Sequence, residues 1–270
     1  MSSGRTGPVT SERAFTNNVT SDRPVYFIAD SHLGSENDAS ERAKECDLTA
    51  FIGSLRGRAS GLYLVGDIFD FWFEYPYPAP IPNPGTIAAL SDLAAAGTSI
   101  HFLGGNHDYW AGNRLSSLTG ARVHRGPLET TLFDRRLFVA HGDGLPEGDM
   151  GYRILRSIIR SRAAIAAFSL VPPAAGAAIA RWASGLSEVT EERIERALPP
   201  MVEFMRVKLR EGYDAVVVGH VHRQLIRRWG EGTGIIVGDW MTERSVVRLD
   251  ASGFRALRWS EGSLREAVAA

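Results

Sequence analysis

Five short apolar runs in this 270-residue chain stop at the same kind of polar cluster, and any fold it adopts has to accommodate all five. Val25–Ala29 ends in Asp30-Ser31-His32, and Leu62–Val65 ends in Gly66-Asp67, with Asp70 three residues on. Ile100–Leu103 leads through two glycines into Asn106-His107-Asp108. Leu137–Ala140 leads into His141-Gly142-Asp143, and Ala215–Val218 into Gly219-His220-Val221-His222. Five of the seven histidines lie in these clusters. Taken singly, each cluster reads as an ordinary turn: Asp30 can cap, and Asn106 beside glycines tolerates a positive φ. Taken together, they ask for an architecture that gathers five strand ends in one place.

The sequence between the clusters supplies one. Positions 41–56 read as a helix with Ala43, Leu48, Phe51, Ile52 and Leu55 roughly on one face, and Ile87–Ala96 reads as a second helix stopped by Gly97. Strands alternating with helices imply βαβ units and a sheet buried on both faces. In such sheets, sites form at the carboxyl ends of strands. Thr130–Phe133 and Leu137–Ala140 flank an Asp-Arg-Arg turn and read as a hairpin. From Tyr152 to about Arg210 the pattern is helical, interrupted near Pro172-Pro173 and Pro199-Pro200. Ala215–Val218, Gln224–Arg228, Ile235–Val237, Ser245–Leu249 and Phe254–Trp259 then read as strands, spaced like a meander with Gly-containing turns. We expect one α/β domain with two sheets over 24–262, carrying a helical insertion at about 152–200. A flexible N-terminal tail is expected at 1–23 and a C-terminal tail at 263–270.

Composition narrows the chemistry. The net charge of −1 gives no field that would mark a nucleic-acid binder. The single cysteine, Cys46, excludes a disulfide framework and a cysteine-rich zinc module, and suits a reducing, cytoplasmic compartment. Cys46 itself reads as a buried or half-buried small apolar residue. A metal site must therefore be built from His, Asp, Asn and Glu. That set favours Mn²⁺ or Mg²⁺, with iron and zinc also compatible. The N-terminus is polar and lacks the apolar stretch of a signal peptide. Ala163–Ala180 carries no charge, but it is mostly alanine and holds a double proline, so a membrane-spanning helix is not expected.

Within Asp30/His32 and His220/His222 the residues are two apart, so an extended backbone points both side chains to one side. Asp67, with two oxygens, can bridge two ions. In order, "DSHLG", "GDIFD", "GNHD", "HGD" and "GHVH" resemble the signature of the calcineurin-like metallophosphoesterases, over residues 25 to about 250. The resemblance implies an α/β/β/α sandwich of two sheets with a helical lid insertion and a centre of two divalent ions. It places one ion with Asp30, His32, Asp67 and His222, and the other with Asp67, Asn106, His141 and His220. It gives His107 the stabilisation of developing charge or the protonation of the leaving oxygen. On this reading Asp108 holds the His107 tautomer through its other ring nitrogen.

"GDIFDFWFEY", "HGDGLPEGDMGYRILR" and "VGDWMTERSVVRLD" further resemble the UDP-2,3-diacylglucosamine pyrophosphohydrolases of lipid A synthesis. That resemblance implies substrate contacts from Trp72, Asp149 and Tyr152 and a helical lid over 152–200. The chain departs from enterobacterial members, which carry G-N-R-D where His107 stands. Bottom-up, "YRILRSIIRSR" sets Arg153, Arg156, Arg160 and Arg162 among isoleucines and a leucine. Arginine forks onto phosphate oxygens, and the apolar stretch beyond suits acyl chains. The expected partners are thus an amphiphilic nucleotide-sugar lipid substrate and, peripherally, the inner-membrane surface, with no nucleic acid and no obligate protein partner. The alternative is another phosphoesterase on the same centre: a nucleotide diphosphatase, a phosphodiesterase or a phosphoprotein phosphatase. His101 reads as a core residue or one lying behind a ligand. The aromatics Phe69, Phe71, Trp72, Phe73, Tyr75 and Tyr77 read first as packing.

Overall fold

The computed structural model describes residues 22–35, 38–145, 150–185 and 190–267; the expected tail at 1–23 lies almost wholly outside them. In chain order come β1 (Val25–Ile28), α1 (Asp38–Ser54), β2 (Gly61–Val65), α2 (Pro84–Ala95), β3 (Ser99–Leu103), α3 (Asn113–Thr119) and β4 (Arg122–His124). The hairpin β5 (Leu128–Leu132) and β6 (Arg135–Ala140) follows. The helical stretch comprises α4 (Met150–Ile159), α5 (Arg162–Phe168), α6 (Pro173–Gly185) and α7 (Glu191–Arg210). The chain closes with β7 (Ala215–Val218), β8 (Leu225–Trp229), β9 (Gly232–Ile236), β10 (Ser245–Asp250), β11 (Gly253–Ser260) and β12 (Ser263–Glu266).

Two sheets result, in the orders β12-β11-β10-β1-β2-β3-β4 and β5-β6-β7-β9-β8. Strand alternation sorts the core into layers. Tyr26 and Ile28 of β1 pack outward with Leu48, Phe51 and Ile52 of α1 and with Leu90 of α2. Val25 and Phe27 pack inward with Val65, Val139, Val217 and Leu249, between the sheets. Beyond the second sheet, Val216 and Val218 meet Met201, Met205 and Leu209 of α7. The layers therefore run α/β/β/α, as expected. β1, β2 and β3 are parallel, as are β6 and β7, so all five polar clusters leave the sheets in register.

Several local expectations change. The hairpin turn is Phe133-Asp134, both at positive φ (49° and 59°), and Arg135 and Arg136 already belong to β6. Two left-handed residues match the twist of the strands better than the three-residue turn read from the sequence. The late strands are not one meander. β9 inserts between β7 and β8, while β10 crosses to pair antiparallel with β1. β12 extends the first sheet over residues expected to be a tail. Pro199 and Pro200 do not interrupt α7. Their surroundings are mostly exposed, so water can satisfy the carbonyls they leave unpaired, and the buried Met201, Met205 and Leu209 hold the turns that follow. The segment that stands apart from the core is thus α4–α6. In α1 the buried face includes Lys44 where Ala43 was expected, and Cys46 is exposed.

Candidate active site

The five clusters converge. Ligand atoms of Asp30, His32 and His222 lie within 4.8 Å of one another, as do those of Asp67, His141 and His220 and those of His32, Asp67 and His107. His222 Nε2 is 3.5 Å from Asp30 Oδ1, and His141 Nε2 is 3.2 Å from Asp67 Oδ2. Asn106 Oδ1 joins the second group at 3.2 Å from His141 Nε2.

The backbone that achieves this is not extended. Asp30, His32, Asp67, His220 and His222 all have positive φ, between 41° and 68°. Left-handed non-glycine residues cost about 1–3 kcal/mol each and persist only where their surroundings hold them. Here the loops hold one another. Asp30 N donates to Gly66 O at 3.1 Å, and His32 N donates to Asp67 O at 2.9 Å. His220 N donates to Asp30 Oδ2 and His107 N to Asp67 Oδ1, both at 2.9 Å. Glycines permit the approach: a Cβ on Gly105 would sit 2.1 Å from Asp67 Oδ1, and one on Gly66 (φ 85°) 2.3 Å from His141 Nδ1.

Two residues that the sequence reading left without a role complete this scaffold. Lys44, fully buried, donates from Nζ to His32 O at 2.9 Å and so grips the carbonyl of a left-handed residue. Its signal was present: position 44 lies four before Leu48, which puts a charge on the apolar stripe. Asp70 approaches two histidines. Its carbonyl is 3.0 Å and its Oδ1 3.3 Å from His107 Nδ1, and Oδ1 is 3.7 Å from His32 Nδ1.

The expected role of Asp108 is therefore corrected. Asp70, not Asp108, contacts the His107 ring. Asp108 instead accepts backbone N–H groups from Gly105, Asp67, Ile68 and Phe69 at 2.8–3.3 Å. It stitches the second and third loops together, because a buried carboxylate is satisfied most cheaply by amides already in place. Trp72 is also mainly core. It packs against Phe69 at 4.9 Å and is buried, though its edge lines a cavity described below. Arg156 forms an ion pair with Asp143, its Nε 2.8 Å from Oδ2. Asp149 lies outside the described residues. Tyr152 and Arg153 fall early in α4, and only their backbone is described. His101 lies in the core, stacked on Tyr63 and 3.1 Å from His124.

Electrostatics separate these groups. Burial, then the neighbouring His141, lowers His220 to about 4; burial and His32 lower His222 to about 3. Both stay neutral at physiological pH, as metal ligands must. Burial alone would depress His107, but the Asp67 charge and the hydrogen bond to Asp70 lift it to about 9. Burial raises the Asp30 carboxyl well above its usual range. Asp67 shares that burial, yet His141 and His107 hold it well below. Burial and Asp67 raise Asp108 to about 6.

Do these residues fit metal ions? Asp30 Oδ1 and His32 Nε2 are buried without a hydrogen-bond partner, 4.0 Å apart. Buried polar atoms left bare cost about 1–3 kcal/mol each, and a divalent cation removes that cost. His141 Nδ1 meets Val65 O at 2.9 Å, which commits Nδ1 to a proton; Nε2 faces Asp67 and Asn106, and against burial the Asp67 charge holds the imidazole protonated well above its usual range, so a cation would take the place of the Nε2 proton. The donor set, all nitrogen and oxygen, fits divalent ions.

Residues 23–224 match the family model described as calcineurin-like phosphoesterase. A Stenotrophomonas maltophilia protein named UDP-2,3-diacylglucosamine hydrolase is 31% identical over 248 residues, covering 85% of this chain and 96% of that one. A Xanthomonas oryzae pv. oryzae protein of the same name is 29% identical over 250 residues, with the same coverage. A Porphyromonas gingivalis protein of that name is 35% identical over 119 residues, 44% of this chain and 45% of that one. The chain belongs to the calcineurin-like phosphoesterase family and is a metal-dependent phosphoester hydrolase.

Proposed function

We propose that this enzyme hydrolyses the pyrophosphate of UDP-2,3-diacylglucosamine, giving an acylated sugar 1-phosphate and UMP, a step of lipid A synthesis. The observation that carries the reading is an apolar cavity set beside the ligand groups, with Asp70 in its wall and within reach of His107 and His32. That cavity, of 310 Å³, lies between the loop after β2 and α6. Trp72, Phe73, Tyr75, Ala174 and Ala177 line it, and Asp70 links it to His107. A substrate with phosphates at one end and acyl chains at the other matches that layout. The names of the curated relatives point the same way.

One ion would be held by Asp30, His32, Asp67 and His222, the other by Asp67, Asn106, His141 and His220. Mn²⁺ suits this set best, with Mg²⁺, Fe²⁺ and Zn²⁺ as competitors. Two ions so placed supply Lewis acidity and a nucleophile at neutral pH. The protein's own contribution falls to His107. With Nδ1 held by Asp70, it would act through Nε2, donating to a phosphate oxygen or to the leaving group.

No single helix among the described residues is long and apolar enough to cross a membrane. One bent pair, Arg162–Phe168 with Pro173–Trp182, passes by length and composition at a 117° bend. Leu170 at the bend is 84% exposed and Trp182 70% exposed, beside exposed Arg162 and Arg181. Exposed apolar side chains with cations in the same bent pair suit peripheral contact with an anionic membrane from the cytoplasmic side.

The test is ³¹P NMR of the purified Mn²⁺ enzyme with UDP-2,3-diacylglucosamine. The expected products are UMP and the sugar 1-phosphate. Release of UDP, or turnover of simple phosphodiesters alone, would hand the site to another phosphoesterase activity.

A further inference from the structure

Among the described residues, the helical segment α4–α6 touches the reacting loops through an aromatic and an ionic contact. At the end of α5, Phe168 packs among Phe71, Phe73 and Trp110, with ring centroids 4.9–6.2 Å away. The other contact is ionic and sits at the α4–α5 junction. Arg160 follows the last residue of α4, and Ser161 caps α5 by accepting from Ala164 N. Arg160 Nη2 donates to Asp143 Oδ2 at 2.8 Å and to Gly105 O at 2.9 Å, and its guanidinium lies 3.8 Å above the Tyr109 ring. Arg156, one turn earlier, brings Nε to 2.8 Å from the same Oδ2, off the hydrogen-bonding axis. Asp143 is only 2% exposed.

We propose that Asp143 is a positioning residue. By gathering Arg156 and Arg160, it seats the α4–α5 junction on the loops carrying Asn106, His107 and His141, so that lid and reacting centre are aligned before substrate arrives. Three features support this. Asp143 is two residues from His141, and Gly105 immediately precedes Asn106, so one guanidinium from the lid spans both loops. A planar fork that stacks and donates twice fixes orientation as well as distance, which a point charge does not. A buried carboxylate facing two arginines is costly to leave unpaired, so the arrangement favours the seated lid. The consequence concerns Arg156, which the sequence suggested for substrate phosphate. Its charge is directed at a protein carboxylate, and a substrate phosphate that claimed either arginine would compete with Asp143.

This inference rests on the phosphohydrolase reading only for its kinetic readout. The experiment uses the full chain with Mn²⁺ and compares Asp143→Asn, Arg160→Gln and the double variant. Three quantities are read: amide hydrogen exchange across α4–α5, bound Mn²⁺, and kcat and KM on UDP-2,3-diacylglucosamine. Each single variant should speed α4–α5 exchange about tenfold, keep two Mn²⁺ per chain, and raise KM more than it lowers kcat. The double variant should be no worse than Asp143→Asn, since one clasp breaks only once. Arg160→Lys should recover part of the protection lost in Arg160→Gln. Unchanged exchange, additive effects, or Mn²⁺ loss in Asp143→Asn would each overturn the proposal. Should Asp143→Asn fail to fold, Arg160→Gln and Arg160→Lys decide it by exchange. Failure of the wild-type enzyme on the lipid would sink the substrate reading and leave the exchange and metal arms to judge the clasp.

Discussion

The metal cradle and the helical segment α4–α6 are built on opposite principles. The cradle is largely buried, five of its seven candidate ligands have left-handed backbone, and nearly every constraint is a hydrogen bond from one loop to another. The helical segment is rich in alanine, α5 buries no residue fully, and among the described residues it meets the cradle through an aromatic cluster and an ionic clasp. The first design stores strain so that ligand atoms cannot drift. The second buries little of its own surface, so its seating depends on those few contacts and a large substrate has only them to displace. Chemistry is assigned to the rigid part and substrate selection to the loose one.

The largest expected effect strikes the cradle. Asp67→Ala removes the residue proposed to serve both ions, so bound Mn²⁺ and activity should vanish together, by about a thousandfold or more in kcat. Full activity with two ions bound would break the two-group account. Next is His107→Ala, which should keep both ions and lower kcat by about 10²–10⁴-fold; metal loss there would make His107 a ligand. Asp70→Asn should cost about 10–100-fold, as positioning partners of such histidines do. Asp108→Asn should act mainly on stability.

A smaller effect concerns pH in the metal-free protein. His222 is lowered to about 3 in the fold against an ordinary 6.5, so the unfolded chain takes up a proton that the folded one refuses. Stability contributed at this position is thus complete above pH 6.5 and declines as pH falls toward 3. His107, raised to about 9, runs the other way: its contribution is complete below 6.5 and is lost as pH rises through 9. Urea midpoints of wild type and His222→Asn should converge on acidification; a constant gap would contradict the burial of a neutral imidazole. Smallest of all, Leu170→Ser with Trp182→Ser should weaken binding to anionic vesicles by about tenfold and leave small-substrate turnover untouched.

The sequence exposed the cradle far better than the lid, for a physical reason. Ligand residues at strand ends leave a local mark, an apolar run followed by His, Asp or Asn, and Asp30, His32, Asp67, Asn106, His141, His220 and His222 are all brought to one place by the fold. Contacts between loops leave no such mark. Asp108 was assigned to the nearest histidine in the chain, whereas it serves four amides, three of them some 40 residues away. Asp70 reaches the same histidine from 37 residues off. The left-handed backbone was also missed, because Asp and His enter that region more readily than most residues but only a few of them do so. In α7, the prolines misled by propensity: tertiary packing of Met201 and Met205 outweighed two missing backbone donors.

The division of labour is tested most directly by replacing α4–α6 with a short Gly/Ser linker and measuring kcat/KM on two substrates, UDP-2,3-diacylglucosamine and a small aryl phosphodiester, alongside bound Mn²⁺. The account predicts two ions retained, aryl turnover preserved within about tenfold, and lipid turnover lost by at least about a thousandfold. Equal loss on both substrates with both ions still bound would place part of the chemistry in the helical segment and contradict it.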